Sequence, residues 1–345
     1  MNKEKVKNNL VKVFNLTGLT WFIPFARLGF GEQPKEQVKE MGRIILVPII
    51  AIAIFLGLWA VVAKKIDTSL GKLPGPVEVS QQIGVLWGEH RSERVKEKAF
   101  YQRQADRNAR LLAEDPKAEI KIRSYTGKPT YLDQIKTSLN TVFTGFLIAS
   151  LIAVPLGLLC GMSKAVMTAL NPLIQVMKPV SPLAWLPIVT MIVSAVYVTK
   201  DGFFQKSFLI SAITVSLCSL WPSLLNTALG VASIDKDYMN VARVLNLGWG
   251  TRVFKIVLPA SLPLVFTGLR ISLGVGWMVL IAAEMLAQNP GLGKFVWDEF
   301  QNGSSNSLAR IMVAVVTIGL IGFILDRIMV SLQKMVSFRP ELIST

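Results

Sequence analysis

Long apolar runs alternate along the chain with charged segments. The first clear run, Ile44–Ala63, contains no charged residue and is bracketed by Arg43 on one side and by Lys64 and Lys65 on the other. At 1.5 Å per helical residue, about 20 residues cross the ~30 Å hydrocarbon core of a bilayer. The run therefore predicts a first membrane-spanning helix over 44–63.

Five more predominantly apolar segments follow: Ile135–Met162, Ala165–Val198, Phe208–Val231, Ala260–Leu286 and Leu308–Leu332. Four prolines fall in the second of them, and each removes a helix hydrogen bond, so we expect a short helix, a break and then a spanning helix there. The pattern predicts an all-α polytopic membrane protein with six transmembrane helices. The last five form a core over residues 135–335.

The composition agrees with a membrane protein. Hydrophobic residues make up 52% of the chain and charged residues 17%, and the mean hydropathy is +0.48. The net charge of +15 sits in blocks between apolar runs, unlike the soluble basic frame of a nucleic-acid-binding protein, so no nucleic-acid partner is expected. The single histidine, His90, argues against a histidine-based metal site. Cys160 and Cys218 fall in apolar runs, where free cysteine packs as a small hydrophobe.

The lysines and arginines of the short loops predict the orientation. With a cytoplasmic N-terminus, the inside segments collect most of these residues, as the positive-inside rule requires. Residues 1–43 then form a cytoplasmic tail, with 10–28 against the lipid interface, and both termini are cytoplasmic. We expect a multi-pass protein of the bacterial inner membrane, with membrane lipid around its spanning helices.

In this orientation the long segment 64–134 is a periplasmic loop. Val77–Trp87 is a candidate short amphipathic helix. Arg91–Glu114 has no proline or glycine and predicts a second helix, inside a charged insert over 89–128. The insert is either a solvated spacer or a docking or gating element, and its eleven Lys/Arg against seven Asp/Glu give it a positive face.

A polar segment, 233–258, separates the fourth and fifth predicted spans. Ser233 or Asp235 can cap a first helix, and Asn246 can end it in the left-handed conformation that asparagine tolerates well. Thr251–Val257 then forms a short second helix, and Pro259 begins the next spanning helix. A structured element between two spans suits a rigid lever to another subunit.

The spacing in this segment resembles the EAA motif of ABC-importer permeases, which is Glu-Ala-Ala, three residues, Gly, nine residues, Ile, one residue and Leu-Pro. The seven motif positions hold Asn240, Val241, Ala242, Asn246, Ile256, Leu258 and Pro259. The glutamate, the first alanine and the glycine are replaced, whereas the spacing is kept. The resemblance implies a cytoplasmic coupling helix, Ile234–Asn246. It implies contact with an ATPase through Asp237, Asn240, Val241, Ala242, Asn246, Ile256, Leu258 and Pro259.

Further short matches resemble the nitrate/sulfonate/taurine/bicarbonate branch of that family: Leu73–Val79, Pro155–Met162, Met177–Pro187, Ala282–Leu286, Gly291–Gly293 and Leu325–Arg327. The resemblance implies the type I ABC-importer permease fold and import of a small anion. Nitrate is favoured, with sulfonate or taurine, cyanate and bicarbonate as alternatives. A secondary transporter is the alternative class, and it would need internal repeats or ion-coupling acids inside the membrane.

The resemblance also implies partners. Two permease chains, as a homodimer or a related pair, form the path, two cytoplasmic ABC ATPase subunits drive it, and a periplasmic or lipid-anchored substrate-binding protein delivers the substrate. The string Gly291–Lys294, followed by Phe295, lacks the spacing of a phosphate-binding loop. ATP and Mg²⁺ are therefore expected on the ATPase, and this chain is expected to carry no cofactor, metal or catalytic residue.

The candidates for lining or gating the path are Ser181, Trp185, Pro187, Arg270 and Glu284. Non-helical backbone at membrane depth is tolerated where it is buried in protein or lines a cavity, so the prolines at 179, 182 and 187 indicate either a path-lining break or a packing bend. Arg270 either snorkels to the interface or has a functional role, in which it pairs with an acid or meets an anion that leaves the path. Glu284 is either a gate or a buried anchor for the loop 289–293.

Overall fold

The computed structural model describes residues 22–31, 34–68, 71–115, 122–197, 204–304 and 306–336, with the isolated positions 6, 10, 11, 14 and 120. The helices in these ranges are α1 (Ile23–Gly29), α2 (Pro34–Lys65), α3 (Pro76–Glu114), α4 (Tyr131–Met162), α5 (Lys164–Met177), α6 (Pro182–Val196), α7 (Lys206–Ala232), α8 (Lys236–Val244), α9 (Trp249–Ala287), α10 (Leu292–Asn302) and α11 (Ser307–Val336). Two short strands, β1 (Asp67–Thr68) and β2 (Gly71–Lys72), pair antiparallel with Asp67 opposite Lys72. The predicted tail before residue 22 lies largely outside the described residues.

In the described ranges, α2, α4, α7, α9 and α11 are long and apolar enough to cross a membrane. The helices α5 and α6 meet that test only as a pair, which is bent by 99°. The predicted short helix, break and second helix are present. The 15 residues of α6 extend about 22 Å, so the expectation that this second helix spans by itself is wrong. The all-α fold is confirmed, with six spans when the bent pair is taken as one.

The first spanning helix, α2, is longer than the apolar run that predicts it. Pro34 occupies its first turn, where a missing N–H costs little, and no helix-breaking pattern follows before the run begins. Gly42–Leu46 is wound as a π-helix. Of the apolar part, Ala63 is the buried residue, so α2 keeps most of its surface free for lipid or for another subunit.

The centre of the core is α7, which packs between α4 and α9. It buries a column of small polar side chains, among them Ser211, Ser219, Ser223 and Thr227. Glycines of α4 face this column, and a Cβ on Gly157 would lie 2.6 Å from the Cβ of Thr227. Small residues let membrane helices approach closely, which strengthens dispersion contacts where no hydrophobic driving force operates.

The loop between the first two spans contains one helix where the sequence predicts two. The predicted helices Val77–Trp87 and Arg91–Glu114 join in α3, which has 39 residues and extends about 58 Å. Gly84 and Gly88 lie inside it without breaking it, because glycine costs a helix only about 1 kcal/mol and α3 packs along α11. Val79 and Leu86 are buried in that packing.

The helix α9 also corrects a prediction. The predicted second helix, Thr251–Val257, is not separate from the span but is its first turns, and Pro259 lies within a continuous helix from Trp249 to Ala287. Val253–Val257 is wound as a π-helix that ends two residues before this proline, where the regular bonding pattern loses an N–H. After the turn that follows α8, the chain therefore enters the spanning helix directly.

Candidate functional site

The short helix α8 connects the ends of α7 and α9. Asp235 is its N-cap, and Oδ1 of this residue accepts a hydrogen bond from the backbone N–H of Asp237 at 3.0 Å. A carboxylate at this position satisfies an amide that the first turn leaves free and interacts favourably with the helix dipole. Of the two predicted caps, Asp235 is the one used, so the helix begins two residues after the predicted Ile234.

The helix ends in a turn at Asn246, whose φ is 45°. The backbone N–H of Leu247 donates to the carbonyl oxygen of Ala242 at 3.0 Å, and that of Asn246 donates to the carbonyl oxygen of Arg243 at 3.0 Å. This pair of bonds is a Schellman motif, which requires a left-handed residue at the position of Asn246. The predicted left-handed turn is confirmed.

One face of α8 presents apolar side chains to the outside. A concavity of about 350 Å³ on this face is lined by Asp237, Asn240, Val241, Val244 and Leu245. Val244 is 81% exposed, whereas Ala242 is 1% exposed. Exposed apolar patches rimmed by polar groups are typical of protein interfaces. The exposed face is therefore the candidate contact surface, and Ala242 lies behind it.

The last three motif positions lie on α9 and not on α8. Ile256 belongs to the π-helical turn, and Leu258 and Pro259 follow it directly; all three are half-buried. Their neighbours Val253 and Val257 are buried. These residues help to pack the start of α9 against the core, and they do not line the concavity on α8.

Glu284 lies near the other end of α9 and is fully buried. Its carboxylate accepts hydrogen bonds from the Ser138 hydroxyl of α4, at 2.8 and 2.9 Å, and from the backbone N–H of Gly293, at 2.9 Å. The Ser138 hydroxyl oxygen accepts a further bond from the N–H of Leu292, at 2.8 Å. The first two amides of α10 are thus capped by side chains of α4 and α9, where a negative charge is most favourable.

The loop between α9 and α10 is shaped around this carboxylate. A Cβ on Gly291 would collide with the Glu284 carboxylate, and one on Gly293 would lie 2.8 Å from the Cβ of Glu284. Asn289, which is 1% exposed, donates from Nδ2 to Thr141 Oγ1 at 3.1 Å. Of the two alternatives for Glu284, this geometry matches the buried anchor.

Arg270 pairs with an acid on another spanning helix. Its Nε lies 2.5 Å from Oδ1 of Asp326 on α11, and its Nη2 lies 3.2 Å from Oδ2. Arg327 also donates to Asp326, at 2.7 Å. A cavity of about 210 Å³ between α9 and α11 is bordered by this pair and by Trp277. Of the two alternatives for Arg270, the pairing alternative matches the structure.

The three candidates around α6 do not share one face. Ser181 is the exposed N-cap of α6, and its Oγ accepts from the N–H of Leu183 at 3.3 Å. Trp185 is half-buried one turn later, on the same side of the helix. Pro187 is exposed inside α6, and at 100° per residue it faces away from Trp185. The helix break covers residues 178–181, so Pro179 lies in it and Pro187 does not contribute to it.

Charged side chains tie α3 to the core at the end opposite to α8. Arg310 of α11 donates to Oε1 of Glu299 at 3.1 Å and also to Glu89 of α3. Arg94 of α3 donates to Oδ2 of Asp133 at 2.8 Å. A cavity of about 460 Å³ lies beside Glu89, Glu299 and Arg310. These pairs fix the middle of α3, at Glu89 and Arg94, to the core.

The segment 122–130 returns along α3 to α4. The hydroxyl of Tyr125 donates to Oε1 of Glu93 at 2.7 Å, and this bond holds the pKa of Glu93 below its usual value and raises the pKa of Tyr125. The backbone N–H of Arg123 donates to Oε1 of Gln104 at 2.8 Å. The rings of Phe100 and Tyr125 lie 5.4 Å apart.

Sequence reasoning missed several residues of these sites. Ser138, Asn289 and Arg310 are ordinary polar residues of their segments, and their partners are far away along the chain. The signal that was present is the pair of short matches Ala282–Leu286 and Gly291–Gly293. In the structure these two matches pack against each other, because the side chain of the glutamate in the first occupies space that only glycines in the second leave free.

Comparison with known proteins gives the family. The family described as binding-protein-dependent transport system inner membrane component matches residues 153–338. A solved structure entitled "Inward facing conformations of the MetNI methionine ABC transporter: CY5 native crystal form" superimposes with a TM-score of 0.51 at 13% identity, covering 60% of this chain and 96% of that one. This likeness concerns the fold, that of a type I permease.

The matches to two curated relatives cover most of both chains. The nitrate import permease protein NrtB of Synechococcus elongatus is 32% identical over 289 residues, which are 84% of this chain and 88% of the relative. The bicarbonate transport system permease protein CmpB of the same species is 33% identical over 307 residues, 88% of this chain and 94% of the relative. A putative aliphatic sulfonates transport permease protein SsuC of Bacillus subtilis is 27% identical over 200 residues, 58% of this chain and 67% of the relative. The chain therefore belongs to the family of inner membrane components of binding-protein-dependent transport systems, the ABC-importer permeases, which are translocation subunits.

Proposed function

We propose that this chain is the membrane-spanning permease subunit of an ATP-driven importer of a small anion, and that the anion is nitrate. The observation that carries the proposal is α8, a short helix capped at both ends, with an exposed apolar face, held between two spanning helices. A helix fixed at both ends transmits a push or a rotation to the helices that flank it.

In this proposal two cytoplasmic ATPase subunits bind ATP and Mg²⁺, and each receives α8 of one permease. The exposed face around Val244 seats in the ATPase. Closure of the ATPase pair moves α8, and α9 carries that movement along its 39 residues to Glu284 and α10. Two copies of the chain form the path between them, and a substrate-binding protein delivers the anion on the other side.

The acids of the core are arranged so that they do not repel an anion. Glu284 is fully buried against Ser138 and the amides of α10. Asp326 is shared by Arg270 and Arg327, which leaves that cluster with a net positive charge. The described spans thus present no bare carboxylate from these two positions, which suits an anionic substrate.

Nitrate is preferred because relatives named for nitrate import match over most of both chains. Bicarbonate is the second candidate, and the specific observation in its favour is the 33% identity to the bicarbonate permease over 94% of that relative. Both are small planar oxyanions with one negative charge, so the same permease path can suit either.

Uptake by cells tests the substrate. A strain lacking its own nitrate and bicarbonate importers, given this permease with its ATPase and binding protein, should accumulate ¹³N-nitrate and not ¹⁴C-bicarbonate. Accumulation of bicarbonate alone would show that the substrate is bicarbonate and not nitrate. Uptake of neither anion by a complex that hydrolyses ATP would reject both.

The proposal includes an orientation in which both termini and α8 are cytoplasmic and α3 is periplasmic. In a background without Cys160 and Cys218, a cysteine replacing exposed Ala109 of α3 should react with an impermeant thiol reagent once the outer membrane is opened. A cysteine replacing Tyr238 of α8, 56% exposed, is the matched control and should react only after the inner membrane is opened. The reverse pattern would invert the orientation.

A further inference from the structure

The outer half of α3 forms an arm that leaves the core. The arm consists of Val95–Glu114 together with the returning segment 122–130. Its base is fixed by the Glu89–Arg310 and Arg94–Asp133 pairs. The 20 helical residues beyond Arg94 extend about 30 Å. Among the described residues, the side chains of Gln104 and Tyr101 accept hydrogen bonds from backbone N–H groups of the returning segment, and the ring of Phe100 contacts Tyr125 there.

One side of the arm is occupied by the returning segment, and another is basic. The half-buried residues Glu97, Phe100, Gln104 and Asn108 recur at helical spacing and form the occupied side. Arg103, Arg107 and Arg110 follow one another at intervals of four and three residues, which places them within about 60° of one another around the helix. We call these three residues the basic stripe.

The basic stripe has no acidic partner among the described residues. All three of its side chains are exposed. The ion pairs of α3 are made by other bases, Arg94 with Glu97 and Asp133, and Lys96 with Glu93. Asp106 lies beside the stripe and forms no ion pair with it. Three arginines on one face of a fixed helix, without an acidic partner in the part of the chain that the structure describes, form a surface suited to an acidic partner.

We propose that the basic stripe docks an acidic surface of the substrate-binding protein, and steers that protein onto the permease. This inference rests on the proposed function, and it adds the contact residues and the chemistry of the partner's surface. The family is defined by its dependence on a binding protein. An arm of about 30 Å is comparable to the diameter of a small domain, so it reaches along the side of a docked protein.

The position of the stripe favours a protein partner over anionic lipid. Between Val77 and Gly88 the only charged residue of α3 is Glu78, whereas charges are dense from Glu89 onward, so the change to an aqueous environment falls at Glu89. Arg103 lies 14 residues further, about 21 Å along the helix. The field of lipid headgroups fades over a Debye length of ~8 Å at physiological salt, so it is weak at the stripe of an arm that projects away from the membrane.

The test uses the complete transporter in nanodiscs with its nitrate-loaded binding protein, and it measures ATP hydrolysis against binding-protein concentration. The stripe variant is Arg103→Glu with Arg107→Glu. The matched control is Arg91→Glu with Lys98→Glu, which makes the same charge change on exposed residues of the opposite side of α3. Hydrolysis without binding protein checks that each variant is folded and assembled.

We expect the stripe variant to raise the half-maximal binding-protein concentration about tenfold at low salt, with an unchanged maximum, because steering by opposite charges accelerates association. The control pair should change it less than about threefold, and 0.5 M salt should bring the native complex to the value of the stripe variant. Equal effects of both pairs, or none, would overturn the inference. The inference would also be overturned if ATP hydrolysis by the stripe variant changed with the fraction of anionic lipid in the nanodisc while the half-maximal binding-protein concentration stayed at the native value.

The failure of the proposed function has a different signature. A native complex whose hydrolysis the binding protein does not stimulate would overturn the proposed function and this inference together. A native complex that is stimulated, beside a stripe variant with unchanged response, would overturn this inference alone.

Discussion

The carboxylate of Glu284 and the backbone N–H of Gly293 are 2.9 Å apart, so that one helix of the membrane core caps the helix that follows it. The hydrogen bond joins two stretches of sequence, neither of which indicates this contact by itself. Together with Ser138 it fixes α10 to α4 and α9. The expected consequences at this site and elsewhere can be measured.

Replacing Glu284 by Ala should lower the stability of the permease strongly. The change leaves the N–H of Gly293 and the hydroxyl of Ser138 buried without their acceptor, at about 1–3 kcal/mol for each group. Thermal unfolding of the purified complex measures the loss. Exposed Glu114 gives the control, since its replacement by Ala should change stability by less than about 0.5 kcal/mol. An unaltered unfolding temperature for Glu284→Ala would remove the capping role.

Gly293→Ala should be damaging, because its Cβ would lie 2.8 Å from the Cβ of Glu284 and closer still to the backbone of Ile281. Overpacking of this kind costs about 1–3 kcal/mol. Gly274→Ala is the matched control on α9, where a new Cβ meets nothing within 4 Å. The control should be neutral or stabilised by up to about 1 kcal/mol through helix propensity. Similar yields of folded protein for the two variants would contradict the close approach.

Val244→Glu should prevent the ATPase from binding while the permease still folds. Val244 is 81% exposed on the apolar face of α8, and a buried unpaired charge opposes an interface strongly. The measurement is co-purification of the ATPase subunits, with an expected loss of more than tenfold. Val95→Glu, at a position 66% exposed on α3, controls for the added charge and should leave co-purification intact. Retention of the ATPase by both variants would exclude this face as the contact.

Asn246→Gly and Asn246→Val should have different effects on the stability of the protein. Glycine adopts the φ of 45° without strain, so that variant should be neutral or stabilised by up to about 1 kcal/mol. Valine is β-branched and strained at positive φ, at a cost of about 1–2 kcal/mol. The measurement compares anion uptake by cells that carry each variant and the amount of each variant in the membrane. Indistinguishable variants would show that the Schellman turn does not limit coupling.

The contact between Glu93 and Tyr125 should make the arm sensitive to pH. The hydroxyl of Tyr125 lowers the pKa of Glu93 below 4.5, so this contribution to stability is complete above about pH 4.5 and is lost as the pH falls through the lowered pKa. The pKa of Tyr125 is raised above 10.0, so the contact is also lost as the pH rises through that raised value.

Spin labels on exposed Gln102 and Ser124 report this change as a distance between the arm helix and the returning segment. The distance distribution should be narrow between pH 5 and 9 and should broaden below pH 4. Tyr125→Phe removes the hydroxyl and should abolish the acid-dependent change while the distribution at neutral pH widens. A native protein whose distribution is constant from pH 3 to 9 would contradict the prediction.

The apolar runs were sufficient to predict the all-α class and the positions of the five long spans, because a helix must carry about 20 apolar residues to cross a bilayer. The turn at Asn246 was also predictable, since few residues tolerate a positive φ and the spacing of the segment is that of a known motif. Element ends were less predictable. The continuity of α3 and α9 depends on packing and on a π-helical turn, which local propensities do not contain.

The identities of the residues therefore determined the class, the family and the helix and turn that join α7 to α9, whereas tertiary structure decided what the charged residues do. Glu284 and Arg270 each had two predicted roles, and a choice between them required partners that are distant along the chain. Ser138 lies 146 residues from Glu284, and Asp326 lies 56 from Arg270. A buried charge is tolerated only where folding brings such a partner to it, so its role follows from the packed helices and not from its own segment.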